Sequence, residues 1–135
     1  MKHILIVEDD PVDATIQKTI LRNIPNTTIT IIRDSRNITK FIEVNRFDLA
    51  IVDIDMEYLD GFGVAFNLKN EGFAYPIVAV TGHKESDFPK ANIALFDGWY
   101  VKPIKHKSYV KFICKYLCDI TCPKTNVSCG LSKFC

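Results

Sequence analysis

Residues 47–56 read Phe47-Asp48-Leu49-Ala50-Ile51-Val52-Asp53-Ile54-Asp55-Met56, and this run decides the architecture. An apolar stretch this short, rich in branched side chains and closed by an acid, describes a strand covered on both faces, as in a parallel sheet with helices on either side. Asp53 at its end lies where an open parallel sheet gathers ligand-binding groups. Three further apolar runs end in the same way. Ile4-Leu5-Ile6-Val7 leads into Glu8-Asp9-Asp10, Ile77-Val78-Ala79-Val80 into Thr81, and Trp99-Tyr100-Val101 into Lys102-Pro103. Carboxylates, a hydroxyl and an ammonium are therefore expected on one edge, a donor set suited to a divalent metal and a phosphoryl group.

Helical patterns fill the intervals between these runs. Asp10-Pro11 offers a cap and a first-turn proline for a helix expected to turn Ile16, Ile20 and Leu21 inward and to stop near Pro25. Residues 28–32 read as a second strand, followed by a helix capped by Asp34 or Ser35 and carrying Ile38, Phe41, Ile42 and Val44. Asp60-Gly61 marks a turn into a helix with Phe62, Val64, Ala65, Phe66 and Leu68, which Gly72 can end. A short helix around Ile93, Ala94 and Leu95 and a last one over residues 109–116 complete the alternation. The pattern predicts a doubly wound five-stranded parallel sheet in a three-layer α/β/α arrangement.

The chain has 135 residues, 17 basic and 16 acidic, for a net charge of +1. One core and one principal domain are expected at this length. No basic stripe advertises nucleic acid, so proteins are the expected partners. Met1-Lys2-His3 runs straight into the first apolar segment without a signal-peptide pattern or spanning stretch, and a cytoplasmic location away from the membrane is expected.

Taken singly, the polar residues at the strand ends have ordinary readings. An acidic triplet suits a solvated loop or helix N-terminus, Thr81 is a β-branched strand residue, and Lys102 an exposed lysine. Their coincidence at four strand ends favours chemistry. Asp9 and Asp53 form the natural metal-binding pair, and Asp53 is the candidate nucleophile toward a phosphoryl donor, with Lys102 as counter-charge and Thr81 as hydrogen-bond donor.

The ordered set Ile-Leu-Ile-Val-Glu-Asp-Asp, Phe-Asp-Leu-Ala-Ile-Val-Asp-Ile-Asp-Met with Asp-Gly beyond, Ala-Val-Thr-Gly, and Trp-Tyr-Val-Lys-Pro-Ile resembles the receiver domain of two-component response regulators. The resemblance covers about residues 2–120. It implies a flavodoxin-like fold, Asp53 as phospho-acceptor, and Mg²⁺ held by Glu8, Asp9 and Asp53 with the Asp55 backbone carbonyl. It makes Thr81 and Trp99 the switch pair and Lys102 the lysine that contacts the phosphoryl group, with Pro103 often following through a cis bond. Implied partners are a histidine kinase or phosphotransfer protein, a separate downstream effector, and a second copy through the face of the fourth helix, fifth strand and last helix. The protein is then a stand-alone phospho-acceptor, not an enzyme with turnover. Three departures stand out. Glu57 occupies a position often held by proline, which is expected to loosen the loop and make the site more negative. Gly82 replaces a common alanine, and His83 beside it is read as a solvated loop histidine rather than a base or metal contact.

All five cysteines, Cys114, Cys118, Cys122, Cys129 and Cys135, fall near the C-terminus. Residues 121–135 are read as an extension outside the receiver. On a continuing last helix Cys114, Cys118 and Cys122 would share a face, and Cys118, Cys122, Cys129 and Cys135 could close a zinc site, form disulfides or stay reduced. This leaves a second reading, a receiver-fold zinc or thiol-redox sensor. A third is a phosphatase resembling the haloacid dehalogenases, suggested by Asp53-Ile54-Asp55 but opposed by Glu57 in place of threonine and by an acidic pair that precedes the nucleophile.

Overall fold

The computed structural model describes residues 1–118. Five strands, β1 (Lys2–Val7), β2 (Thr27–Ile32), β3 (Leu49–Val52), β4 (Ile77–Thr81) and β5 (Gly98–Val101), form one sheet in the order β2-β1-β3-β4-β5, every pair parallel. The helices are α1 (Pro11–Leu21), α2 (Ile38–Val44), α3 (Gly61–Asn70), α4 (Lys90–Ile93) and α5 (His106–Leu117). Side-chain alternation along the strands divides the core into two layers. Ile4, Ile6, Ile51, Val78 and Val80 pack with Leu21 of α1 and Tyr109, Ile113 and Leu117 of α5. On the other face Leu5, Val7, Ala50, Val52 and Ile77 pack with Ile38 of α2 and Val64, Ala65 and Leu68 of α3. This is the expected three-layer α/β/α arrangement.

The helix ends follow their sequence signals. Asp10 caps α1 by accepting from the Val12 N–H (2.9 Å), with Pro11 opening the helix, and Asp60 caps α3 by accepting from the Gly63 N–H (2.9 Å). Gly72 takes φ +85° just past α3, a left-handed conformation that suits glycine. Three expectations need correction. In α1 the buried line is Ala14, Gln17 and Leu21, three and four residues apart, so Ile16 falls on the outward face. Asp34 caps a short 3-10 turn, Ser35–Asn37, and α2 is only seven residues long, which leaves Val44 outside the core. Phe66 of α3 is exposed, because Val64, Ala65 and Leu68 already fill the stripe facing the sheet. The last helix stops at Leu117 and Cys118 adopts an extended conformation, while Cys122, the third cysteine of the face expected on a continuing helix, lies outside the described residues.

Gly61 marks a close approach between α3 and the end of β3. Its N–H donates to the Ile54 carbonyl (2.9 Å), and a Cβ there would meet the Asp53 carbonyl oxygen and lie 2.7 Å from Ile54 Cα. Gly82 has open space around the same position. Gly61→Ala is expected to cost about 1–3 kcal/mol by overpacking, and Gly82→Ala to leave stability unchanged or raised by up to about 1 kcal/mol through the unfolded chain. Urea titrations of both variants with coincident midpoints would contradict this assignment.

Candidate functional site

The site is built by strand register. Val7 of β1 pairs with Val52 of β3, so the next residues, Glu8 and Asp53, leave the sheet side by side. Their backbones remain held, Asp53 N–H by the Val7 carbonyl (3.1 Å) and Glu8 N–H by the Ile32 carbonyl (3.0 Å). One carboxylate oxygen from each of Glu8, Asp9 and Asp53 lies within 4.8 Å of the others. Glu8 is fully buried and Asp53 nearly so. Asp9 lies at the rim, where its Oδ2 accepts from the Glu57 N–H (3.1 Å). A proline at position 57 would have no N–H to give, so here the loop after β3 is tied to Asp9 rather than loosened.

Lys102 enters from the opposite side. Thr81 pairs with Val101, and the Lys102 N–H continues the ladder to the Thr81 carbonyl (2.7 Å). The Lys102–Pro103 bond is cis. The ammonium donates to Glu8 Oε1 (2.8 Å) and to Asp13 Oδ2 on the first turn of α1 (2.7 Å), and lies 3.8 Å from Asp53 Oδ1. Thr81 is buried, and its Oγ1 accepts from the His83 N–H (3.3 Å). The His83 carbonyl accepts from the Trp99 indole N–H (2.8 Å), and the His83 ring is hydrogen-bonded to the Asp55 carboxylate and set edge-on to Phe88. His83 is therefore partnered rather than simply solvated.

Burial dominates the electrostatics. It pushes the Glu8 carboxyl up to about 8, reinforced by hydrogen bonding to Asp53 and opposed by Lys102. It raises Asp53 above the usual aspartate range too, against the pull of Glu8 and Lys102. Burial alone would lower Lys102, but hydrogen bonds to Asp13 and Glu8 outweigh it and hold the ammonium above the ordinary lysine range. Glu8 Oε2 is buried without a hydrogen-bond partner. Two such carboxylates side by side need a proton or a cation between them. Hard oxygen donors converging on an unpartnered buried carboxylate oxygen fit a small divalent cation such as Mg²⁺.

The structure thus brings together Glu8, Asp9, Asp53 and Lys102, with Thr81, His83 and Trp99 as a linked group beside them. Asp55 turns its carboxylate outward onto His83. Two partners escaped the sequence reading. Asp13 lies four residues beyond Asp9, one turn into α1, so an acid facing the same edge was a usable signal; the Asp55–His83 pair left none, since its members lie 28 residues apart in two loops. Cys118 packs against the core cluster of α1 and α5. Cys122, Cys129 and Cys135 lie outside the described residues, as does the whole of the 121–135 extension.

Residues 4–113 match the response regulator receiver domain family. Among curated proteins, two-component system protein A of Emericella nidulans is 25% identical over 118 residues, covering 85% of this chain and 17% of that protein. The heme response regulator HssR of Staphylococcus aureus is 35% identical over 72 residues, covering 53% of this chain and 32% of that protein. The chain spans a third or less of the length of these relatives. Among solved structures, the response regulator TrrA of Thermotoga maritima, in complex with Mg²⁺ and beryllofluoride, superposes with a TM-score of 0.76 at 24% identity over 86% of this chain and 99% of that one. The receiver domain of a sensor histidine kinase from Pseudomonas aeruginosa, with magnesium in its active-site cleft, gives 0.75 at 23% identity, 86% and 97%. At these identities the superpositions establish the shared fold.

The Glu8 environment makes stability depend on pH in a defined direction. A carboxyl at about 8 in the folded chain and near 4.5 in an unfolded one binds its proton more tightly when folded. Its contribution is complete below about 4.5 and is lost as pH rises toward about 8. In metal-free buffer, urea midpoints of the wild type should therefore fall across that interval, and Glu8→Gln should flatten the decline. A wild-type midpoint that rises with pH while the variant's does not would refute the assignment.

Proposed function

The chain belongs to the response regulator receiver domain family, and from that premise we propose that it accepts a phosphoryl group on Asp53 from a phosphohistidine of a histidine kinase or phosphotransfer protein. The observation that carries this reading is the setting of Asp53, with the Glu8 and Asp9 carboxylates on one side and the Lys102 ammonium on the other. An Asp53 carboxylate oxygen attacks phosphorus in line, the N–P bond of the donor breaks, and its electron pair returns to the imidazole. The product is an acyl phosphate. Glu8, Asp9 and Asp53, with the Asp55 backbone carbonyl, would hold Mg²⁺, which when bound neutralises charge on the phosphoryl oxygens. Lys102 supplies a second positive charge. Thr81, whose Oγ1 only accepts at present, still has its own proton to donate to a phosphoryl oxygen.

The same hydroxyl links the chemistry to a surface. A Thr81 that turns to a phosphoryl oxygen changes its contact with the His83 amide, and the His83 carbonyl is the partner of the Trp99 indole. The switch then runs from Thr81 through residue 83 to Trp99 and the surface of α4, β5 and α5. A separate effector, or a second copy, would read that surface. No helix among the described residues is long and apolar enough to cross a membrane, and the proposal places the protein in the cytoplasm beside the kinase. A shift of a few kcal/mol between two arrangements suffices, and a new dianion facing Lys102 is of that order. Three of the four cysteines on which the zinc or thiol-redox reading rests, Cys122, Cys129 and Cys135, lie outside the described residues.

Intact-mass measurement after incubation with acetyl phosphate tests this. A single phosphoryl adduct that needs Mg²⁺ and is absent from Asp53→Asn is the expected result. An adduct of equal yield in Asp53→Asn would remove Asp53 from the acceptor role.

A further inference from the structure

Lys102 has three N–H donors, and two are already committed. One goes to Glu8 Oε1 at 2.8 Å and one to Asp13 Oδ2 at 2.7 Å, whereas Asp53 Oδ1, at 3.8 Å, is beyond hydrogen-bond distance. The backbone of Lys102 cannot follow a shifted ammonium, since its N–H is fixed to the Thr81 carbonyl. Asp13 is equally anchored, on the first turn of a helix whose start is set by the Asp10 cap and Pro11. It lies outside the Glu8, Asp9 and Asp53 carboxylate cluster. Its contact with Lys102 is thus an ion pair drawn across the rim of the site, 89 residues apart in sequence.

Building on the phospho-acceptor reading, we propose that Asp13 is a positioning residue that holds the Lys102 ammonium away from Asp53 and so weakens the site's grip on a bound phosphoryl group. Two effects act with the same sign. A phosphoryl oxygen on Asp53 must draw the ammonium from a charge-assisted hydrogen bond already made, and the Asp13 carboxylate repels the incoming dianion. Glu8 cannot play this part, because it is buried beside Asp53 among the cation-binding groups. Asp13, part-exposed and outside that cluster, restrains the lysine without being needed to hold the cation.

The experiment uses beryllofluoride, a phosphoryl mimic, and reads the fluorescence of Trp99, the one tryptophan in the chain. Affinity is measured for Mg²⁺ alone, and then for beryllofluoride at saturating Mg²⁺, in the wild type, Asp13→Asn and Asp13→Glu. Asp13→Asn should bind beryllofluoride about tenfold more tightly, the scale of one charge-assisted hydrogen bond. Its affinity for Mg²⁺ alone should stay the same or weaken, since a negative charge near the cation is lost. Asp13→Glu, which keeps a carboxylate, should lie between Asp13→Asn and the wild type. A variant that merely loosens the fold would weaken both ligands together. If the wild type binds beryllofluoride and Asp13→Asn binds it equally or less well, the restraint by Asp13 is refuted and the phospho-acceptor reading stands. If the wild type with Mg²⁺ does not bind beryllofluoride, the acceptor reading fails and the restraint fails with it.

Discussion

The arrangement depends on placing two carboxylates, Glu8 and Asp53, side by side at the end of a parallel sheet with one ammonium to share. Glu8 is fully buried and Asp53 nearly so, so neither charge is well screened and neither is cheaply kept. Lys102 answers only part of the deficit, because one of its bonds goes to Asp13. The remainder takes the form of a raised carboxyl at Glu8 and a carboxylate oxygen without a partner. A site held in this unfinished state favours whatever brings positive charge to Asp53. The same deficit that is expected to lower stability at high pH makes this corner a suitable place for a cation.

That deficit is held in place by the least negotiable part of the molecule. β1 and β3 are central and almost wholly buried, and their register from Ile4↔Leu49 to Val7↔Val52 leaves Glu8 and Asp53 no alternative neighbours. A slip of one residue would turn every strand side chain to the opposite layer, exchanging the partners of α1 and α5 for those of α2 and α3. The core thus enforces the proximity of like charges. Gly61 adds a local constraint, since only a residue without Cβ lets α3 start directly against the Asp53 and Ile54 backbone.

The sheet and the strand-end groups were legible because each is written locally, an apolar run followed by a polar residue. Glu8, Asp9, Asp53, Thr81 and Lys102 all lie on the edge that reasoning assigned to them. Helix faces were less legible where apolar residues outnumber buried positions. Ile16, Val44 and Phe66 were candidates by composition, but a helix on a sheet buries one stripe, which Ala14, Gln17 and Leu21 fill in α1, Ile38 in the short α2, and Val64, Ala65 and Leu68 in α3. Tyr109 shows the converse, its hydroxyl buried and donating to Gln17 (2.6 Å), a polar pair no apolar pattern would suggest. A long-range polar pair such as Asp55 with His83 has no sequence period at all and exists only once its two loops are folded.

The region beyond β4 differs from the rest in how it is held. α4 is a single turn, Lys90–Ile93, without a side-chain cap, and in its place the segment relies on rings. Trp99 packs against Phe62, Phe88 and Phe96, at centroid distances of 6.4, 5.8 and 5.8 Å, all half-buried. Tilted and edge-on contacts of this kind are weak singly and tolerate sliding, unlike the interlocked side chains beneath the sheet. The indole's one polar anchor is the His83 carbonyl, which also connects it to Thr81. Local openings with few buried hydrogen bonds fall at the low end of a protein's stability range. A perturbation at the strand ends therefore meets a stiff sheet on one side and a soft aromatic cluster on the other, and the soft side is where movement is least costly.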